Sequence, residues 1–590
     1  MTLVDSRRRA NGELDDPVAD KVREAFDAVG LDELLTFDRF AHVDRETVDV
    51  AVEELARVAG RGVVPPDRGG DGVGWQHDPA TGRVVTPPGF REAYQRFVDA
   101  GWNAVAVPVE HGGGGLPRTV GVALQELFAA ANVGLSLCPA LTQSAIELLM
   151  RWGTNDQQRV YLPRLVTGEW AGTMWITEPD AGSDVGAIRS VATSRPDGRW
   201  EITGTKIFIS WGDHDLTDDI IHFVLARTPG SAPGTRGLSL FLVPARLVDD
   251  HGQPDALNRV TVRSLEHKLG LHASPTCVME LDGAIGELVG DVGSGMRAMF
   301  TMMSPARLSI GLQGLGIGER AYRAARSFAG ERRQGRAVGA PPGTVSVIDE
   351  HPDVRWMLSR MSSAVDAMRQ LGYWTARNTD RAAAHPDPAV RERAQDLVDL
   401  LTPITKAWVT DTGVEVASLG IQVHGGMGYI EDTTAPQRWR DARIGPIYEG
   451  TNGIQAIDLV TRKVTRHDGA VVMGLLDDVD ATAVRSPGQL GDHLAEAASA
   501  VRVTTTWLLD RLADGDGADD ALAGATTYLS ILGDLVSGWL LARRALDQES
   551  ASTPGADHAW DVASFFVVER VATISGRCAA ITAGASRLLV

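Results

Sequence analysis

Glu449 is the side chain whose neighbours best suit it to proton chemistry. It follows Ile447 and Tyr448 and precedes Gly450 and Thr451, so a ligand can reach it where few polar groups compete. A carboxylate in such surroundings has its charged form disfavoured and its pKa raised, as a general base for carbon acids requires. An exposed loop glutamate is the competing reading of the same residues. Just upstream, Arg440, Asp441 and Arg443 are read as a structural ion-pair network rather than a ligand site.

Three other segments carry residues suited to a large, acceptor-rich ligand. In Met174-Trp-Ile176-Thr177-Glu-Pro179-Asp-Ala-Gly182-Ser183-Asp184, a strand ends at Thr177, Pro179 stops its ladder and Gly182 permits a tight turn. Such a turn presents backbone N–H groups and the Thr177 and Ser183 hydroxyls to acceptors of the kind found on a flavin and its pyrophosphate. A plain inter-strand turn fits equally well. In Gly204-Thr-Lys-Ile-Phe208-Ile209-Ser210, Phe208 and Ser210 are two apart and are expected on one face of a strand. Phe208 would cover an isoalloxazine face while Ser210 bonds its edge, against a plain core aromatic. In Gln422-Val-His424-Gly425-Gly426-Met-Gly428-Tyr429, three glycines let the backbone approach a bulky ligand, with a helix C-cap and turn as the alternative.

The elements that must position these residues follow from periodicity. Residues 46–62 and 119–151 carry apolar side chains at helical spacing. From about Gly172 to Gly290, short β-prone runs alternate with turn signals, which reads as an all-β unit. Helical spacing returns after Gly295 and is broken only by a Gly/Pro-rich loop, Gln334 to Thr344. The last stretch is rich in Ala and Leu at helical spacing. Gly316-Ile-Gly318-Glu-Arg-Ala321 matches a dinucleotide-binding pattern, but helix precedes it and no βαβ unit surrounds it. Those glycines are read as serving close helix–helix approach.

Composition narrows the class further. A chain of 590 residues exceeds one core, so three or four packed units are expected. A net charge of −20 argues against a nucleic-acid partner. The three cysteines, Cys138, Cys277 and Cys578, form neither a disulfide framework nor a zinc pattern. The N-terminal residues lack a secretory apolar core and no run reads as an integral membrane segment, so the expected location is cytoplasmic.

Taken together, WITEPDAGSD, GTKIFIS, QVHGGMGYIED and RDARIGPIYEGT resemble the signatures of the acyl-CoA dehydrogenase family, over residues from about 45 to 465. HPDVR (351–355) and YEGTNGIQ (448–455) resemble most closely a long subgroup that includes 3-methylthiopropionyl-CoA and actinobacterial long-chain enzymes. The resemblance implies an α+β multidomain fold. Residues 1–45 are expected as an extension, 46–172 as a helical N-terminal domain and 173–290 as a central antiparallel β-domain. A C-terminal four-helix bundle would occupy 291–465 and an additional C-terminal helical domain 466–590.

It also implies FAD, held by Met174, Ile176, Thr177, Gly182, Ser183, Phe208, Ile209, Ser210 and Thr451. Arg332, Gln422, His424, Gly425 and Gly426 would reach the FAD of a neighbouring subunit, making the protein at least a dimer. Ser183, Arg307 and Gly450 would meet the acyl-CoA substrate. The implied reaction is α,β-dehydrogenation to a trans-2-enoyl-CoA. Glu449 takes the α-proton, flavin N5 takes the hydride, and an electron-transfer flavoprotein takes the electrons. Ala306 stands just before Arg307, where a minority of the family carries the base, and cannot act as one. Ser304 stands where many relatives have an aspartate touching CoA. An acyl-CoA oxidase using O₂ and a non-catalytic acyl-CoA-binding protein are the alternatives.

Overall fold

Where the apolar period switches near Gly172, helix gives way to sheet. The computed structural model describes residues 17–78, 82–249, 252–552 and 555–589. Residues 1–16, on which the reading of the N-terminus rests, lie outside them. Helices α1 (Pro17–Val29), α2 (Arg45–Val58), α3 (Phe90–Asp99), α4 (Arg118–Ala131), α5 (Val133–Trp152) and α6 (Asn155–Thr167) come first. Seven strands of one sheet follow: β1 (Trp170–Trp175), β2 (Val191–Ser194), β3 (Trp200–Ser210), β4 (Asp219–Arg227), β5 (Leu238–Pro244), β6 (Val260–Leu265) and β7 (Thr276–Val289). Then come α7 (Gly295–Glu331), α8 (Pro352–Ala384), α9 (Pro388–His424), α10 (Ala435–Ala442) and α11 (Asn452–Asp458). The chain closes with α12 (Ala470–Arg485), α13 (Gly488–Ala513), α14 (Ala525–Ser550), α15 (Ala556–Glu569) and α16 (Ile574–Thr582).

By contacts the chain divides into two units. One comprises residues 54–116 and 127–309, the other 1–53, 117–126 and 310–590.

The first unit holds the sheet, ordered β6-β7-β3-β2-β4-β1, with β5 pairing β7 and β4. Most pairings are antiparallel, as expected. β1, however, runs parallel to β4 from Trp170↔Asp219 to Trp175↔Val224, and β2 meets β4 in parallel at Val191↔Arg227. Helix α5 lies close on β1. A Cβ at Gly172 would come within 2.4 Å of the Ala145 Cβ, so only glycine fits there. The Gly172 N–H donates to Thr142 Oγ1 at 3.1 Å. Helix α6 opens on a capping box of Thr154 and Gln157 and closes on Gly168 at φ 76°.

The second unit is helical. α8 and α9 are joined at Asp387, whose carboxylate caps α9 by accepting the Ala389 N–H at 2.8 Å. Gly316 and Gly318 lie inside α7, so the dinucleotide pattern is helix. Close helix approach is evident nearby, where a Cβ on Gly413 of α9 would sit 2.7 Å from the Gly314 carbonyl oxygen. The C-terminal helices, expected as a further domain, pack with the bundle. Trp408 of α9 lies against Gly533 of α14 and its Nε1 donates to Asp534 at 2.9 Å. Arg544 of α14 pairs with Asp366 of α8 at 3.2 Å. Nearby, Arg369 bridges Glu126 at 2.6 Å and Glu319 at 2.7 Å, all three buried.

The stretch expected as an extension carries α1, whose Val18, Val22, Phe26 and Val29 are buried. Phe26 meets Tyr373 of α8 with ring centroids 5.7 Å apart. Two helices among the described residues, α5 and α14, have the length and apolarity to cross a membrane, but their most apolar windows are 78% and 83% buried inside the protein. All three cysteines are free and buried. No cluster of metal-ligating side chains occurs among the described residues.

Candidate active site

In the sheet-containing unit, β1 is buried except at Met174, and the chain opens to solvent beyond it. Thr173, Trp175 and Glu178 are buried, while Met174, Ile176 and Thr177 are partly exposed. The turn beyond them leaves Gly182, Ser183 and Asp184 exposed. Phe208 is 59% exposed, which rules out the core-aromatic reading. Ser210 is partly exposed, and the Ile209 side chain is packed in the core with Trp175 and Cys277. A cofactor role for Ile209 therefore falls to its backbone.

Plain strand alternation does not produce this display. The register between β3 and β7 shifts between Cys277↔Ile209 and Met279↔Lys206, so Ile207 and Phe208 together face the single residue Val278. This is a β-bulge, and Phe208 adopts φ 60° within it. A left-handed backbone on a bulky residue is a strained state that persists only where its surroundings over-determine it.

Lys206, which sequence reasoning did not single out, is one of those surroundings. Its buried ammonium donates to the Ile176 carbonyl at 3.0 Å, the Leu225 carbonyl at 2.8 Å and Glu178 Oε1 at 2.8 Å. Glu178 accepts in turn from the N–H groups of Arg189 (2.7 Å) and Ser190 (3.1 Å) and from the Ser190 hydroxyl (2.6 Å). The 176–190 loop is thereby fastened to the sheet from beneath. Burial pulls the Lys206 pKa down to about 8. Burial opposes ionisation of Glu178 as well, but Lys206 and the hydrogen bonds hold it below the usual carboxylate range.

Arg307, also in this unit, is buried on α7 with its guanidinium 5.9 Å from the Phe300 ring centroid.

In the helical unit, the chain from α10 to α11 carries Glu449. Tyr448 before it sends its hydroxyl to Gln313 and its N–H to the Ile444 carbonyl at 3.2 Å. Burial, and then the adjacent Glu449 charge, push the Tyr448 phenol well above its ordinary pKa. Glu449 is half-buried at φ 55°, like Phe208 a non-glycine residue in the left-handed region, and Gly450 follows at φ 82°. Such a residue costs of order 1–3 kcal/mol. The Gly450 carbonyl accepts from the buried Lys406 ammonium at 2.8 Å and from Gln455 Nε2 at 3.4 Å. Thr451 caps α11, its hydroxyl accepting the Ile454 N–H at 3.2 Å, which leaves the hydroxyl proton to donate. Asn452 Nδ2 donates to the Ala407 carbonyl and to Thr410 Oγ1, both at 3.1 Å, and its Oδ1 accepts from Lys406 at 2.9 Å.

At the end of α9, His424 is stacked on Phe328 with centroids 4.6 Å apart and its Nδ1 lies 2.6 Å from the Gly420 carbonyl. Burial lowers its pKa. Gln422 is exposed, and a Cβ at Gly425 or Gly426 would meet no atom within 4 Å, so that backbone is open to a ligand. Gly428 differs, since a Cβ there would collide with the Ile421 carbonyl at 2.2 Å, a packing requirement. Arg332, at the end of α7, is exposed and makes no ion pair with any described residue. Arg440 of the expected ion-pair network pairs with Glu431 at 2.7 Å.

Comparison with known proteins covers nearly the whole chain. Residues 81–169, 173–284 and 293–464 match the family descriptions "Acyl-CoA dehydrogenase" N-terminal, middle and C-terminal domain. Residues 475–589 match "Acetyl-CoA dehydrogenase C-terminal like". The chain is 43% identical to a 3-methylmercaptopropionyl-CoA dehydrogenase of Ruegeria pomeroyi, over 88% of each chain. It is 33% identical to a broad-specificity linear acyl-CoA dehydrogenase of Mycobacterium tuberculosis, over 91% of each. Its fold is similar to that of Caenorhabditis elegans ACDH-11 in complex with C11-CoA, with a TM-score of 0.76 at 23% identity over 96% of this chain and 93% of that one. A Bacillus anthracis acyl-CoA dehydrogenase complexed with FAD gives 0.69 at 20% identity, over 84% and 82%.

Proposed function

The chain belongs to the acyl-CoA dehydrogenase family, and from that premise we propose that Glu449 is the base that takes the α-proton of its acyl-CoA substrate. It is an FAD enzyme. What supports the assignment of the base is the backbone at Glu449: a half-buried carboxylate in the left-handed region, fixed by a half-buried tyrosine on one side and a buried lysine on the other. Structure of that kind is kept where geometry matters.

The residues suit the cofactor. The bulge turns an aromatic ring outward at Phe208, the Ile207 N–H beside it donates to the Thr177 carbonyl at 2.9 Å, and Gly182 and Ser183 in the following turn are exposed. Met174, Ile176, Thr177, Gly182, Ser183, Phe208 and Ser210 would hold the FAD, with the Thr451 hydroxyl contributing its proton. Arg332, Gln422 and the open backbone of Gly425 and Gly426 would serve the FAD of a second copy, making the enzyme a homo-oligomer. FAD, when bound, supplies the acceptor for the hydride leaving Cβ. An α-C–H is a very weak acid, so the thioester carbonyl must be stabilised as it gains enolate character. The Glu449 backbone N–H is the proposed donor from this chain. Ser183, Arg307 and Gly450 are the proposed substrate contacts.

The proposed product is a trans-2-enoyl-CoA, with an electron-transfer flavoprotein as acceptor of the electrons. Measuring reduction of that acceptor against peroxide formed in air separates this from an oxidase. The substrate is proposed to be a saturated acyl-CoA. Its chain is to be mapped by anaerobic bleaching with 3-methylmercaptopropionyl-CoA and straight-chain acyl-CoAs, since the two relatives carry those specificities in their names. The deciding test is Glu449→Gln. It should keep FAD and bind acyl-CoA but lose flavin bleaching by about 10²–10⁴-fold or more. Normal bleaching by that variant would refute the assignment.

A further inference from the structure

Lys406 sits in α9 with no exposed surface. A buried ammonium is retained only where its partners compensate for lost hydration, so those partners indicate what it is for. Two of them lie in one short segment: the Gly450 carbonyl at 2.8 Å and Asn452 Oδ1 at 2.9 Å. Asn452 is oriented by its own bonds to the Ala407 carbonyl and Thr410, which turn its oxygen toward the lysine. Its N–H also donates to the Pro446 carbonyl at 2.9 Å, closing the loop behind Glu449. On the same helix, desolvation raises the Asp411 pKa, opposed first by its hydrogen bond with Asn452 and then by the Lys406 charge.

Glu449 is therefore spanned by two anchors. Before it, Tyr448 is tied to Gln313 and Ile444. After it, the peptide that begins at Gly450 is tied to Lys406. With both ends fixed, the residue between them has no freedom to leave φ 55°, the conformation that sets the direction of its carboxylate and of its N–H. We infer that Lys406 is a positioning residue for Glu449, clamping the Gly450 carbonyl so that the carboxylate is aimed at the substrate. This rests on the reading of Glu449 as the base.

The inference separates from that reading in one set of full-length FAD-loaded variants: Lys406→Met, Lys406→Gln, Glu449→Gln and the Glu449→Gln/Lys406→Met double. Anaerobic bleaching is read by stopped flow, using the straight-chain acyl-CoA that bleaches the wild type fastest. A misplacement of about 1 Å costs on the order of 10²-fold, so Lys406→Met should bleach about 10²-fold more slowly. Its half-saturating acyl-CoA concentration should move by less than about threefold, since only the direction of the base is lost. Hydrogen exchange over residues 446–455 of the holoenzyme should rise in the lysine variants while exchange elsewhere in α9 stays put. The double variant should bleach no more slowly than Glu449→Gln alone, because an effect transmitted through the carboxylate vanishes with it.

Wild-type bleaching by Lys406→Met, or an additive loss in the double variant, overturns the inference and leaves Glu449 as the base. Normal bleaching by Glu449→Gln overturns the base itself and the inference with it. If Lys406→Met does not retain FAD, Lys406→Gln decides by the same criteria. Failure of both to yield holoenzyme also overturns the inference, since the lysine then serves the fold and not the base.

Discussion

Replacing Lys206 with methionine removes a cation from beneath the 176–190 loop and leaves the Glu178 carboxylate buried at 6% exposure. Three hydrogen bonds disappear, to Glu178 and to the carbonyls of Ile176 and Leu225. Removing one partner of a buried ion pair typically costs about 3–5 kcal/mol, much of it the penalty of the charge left behind. Glu178 keeps the N–H groups of Arg189 and Ser190 and the Ser190 hydroxyl, which holds the expected loss to the lower end, about 3 kcal/mol. For a unit of this size that is a fall of roughly 6 °C in the melting transition of the sheet-containing unit. Glu178→Gln added to Lys206→Met removes the stranded charge and should recover at least half of it. Calorimetry of the holoenzyme gives the melting shift, and the ratio of flavin to protein absorbance gives FAD retention, which should fall with the loop. A Lys206→Met protein that melts within about 1 °C of the wild type and keeps its FAD would refute the reasoning.

Three more expectations follow from the same structure. Phe208→Ala should leave the apoprotein within about 0.5 kcal/mol, because the ring is exposed, yet weaken FAD by about tenfold through lost stacking; dialysis against limiting FAD measures it. Gly413→Leu should cost at least 1–3 kcal/mol in denaturant unfolding, since its Cβ alone would lie 2.7 Å from the Gly314 carbonyl oxygen. The third concerns acid. Burial lowers His214 and His222 to about 3 and raises Asp219 to about 7. Each neutral histidine contributes stability that is present above the unfolded value near 6.5 and lost as pH falls toward 3, about 1.4 kcal/mol per pH unit. Asp219, protonated in the folded state, runs the other way between about 4 and 7. His222→Gln should therefore lose about 1.4 kcal/mol per unit less than the wild type between pH 6 and 4, and equal slopes in urea titrations would contradict this.

The sequence disclosed the helix–sheet–helix order, because glycines, a stop at Pro179 and a change of period are local signals. It disclosed less where a contact was set by distant chain. The bulge at Ile207 and Phe208 depends on β7, so strand alternation alone grouped Phe208 with Ser210 without revealing the φ of 60° that turns the ring out. Lys206 and Lys406 give no signal in the sequence because lysine usually faces water, and only the fold shows both side chains fully buried with their ammonium groups on carbonyls. α1 is legible, since Val18, Val22, Phe26 and Val29 stand at helical spacing. The parallel run of β1 on β4 left no mark, because both strands are simply buried.

That first helix has a bearing on how the protein is made. Its apolar face rests on α8, with Phe26 against Tyr373. During translation, at about 5–20 residues per second, the partner surface emerges roughly 20–70 seconds after the helix does. An amphipathic segment thus leaves the ribosome long before it has anywhere to bury its valines and phenylalanine.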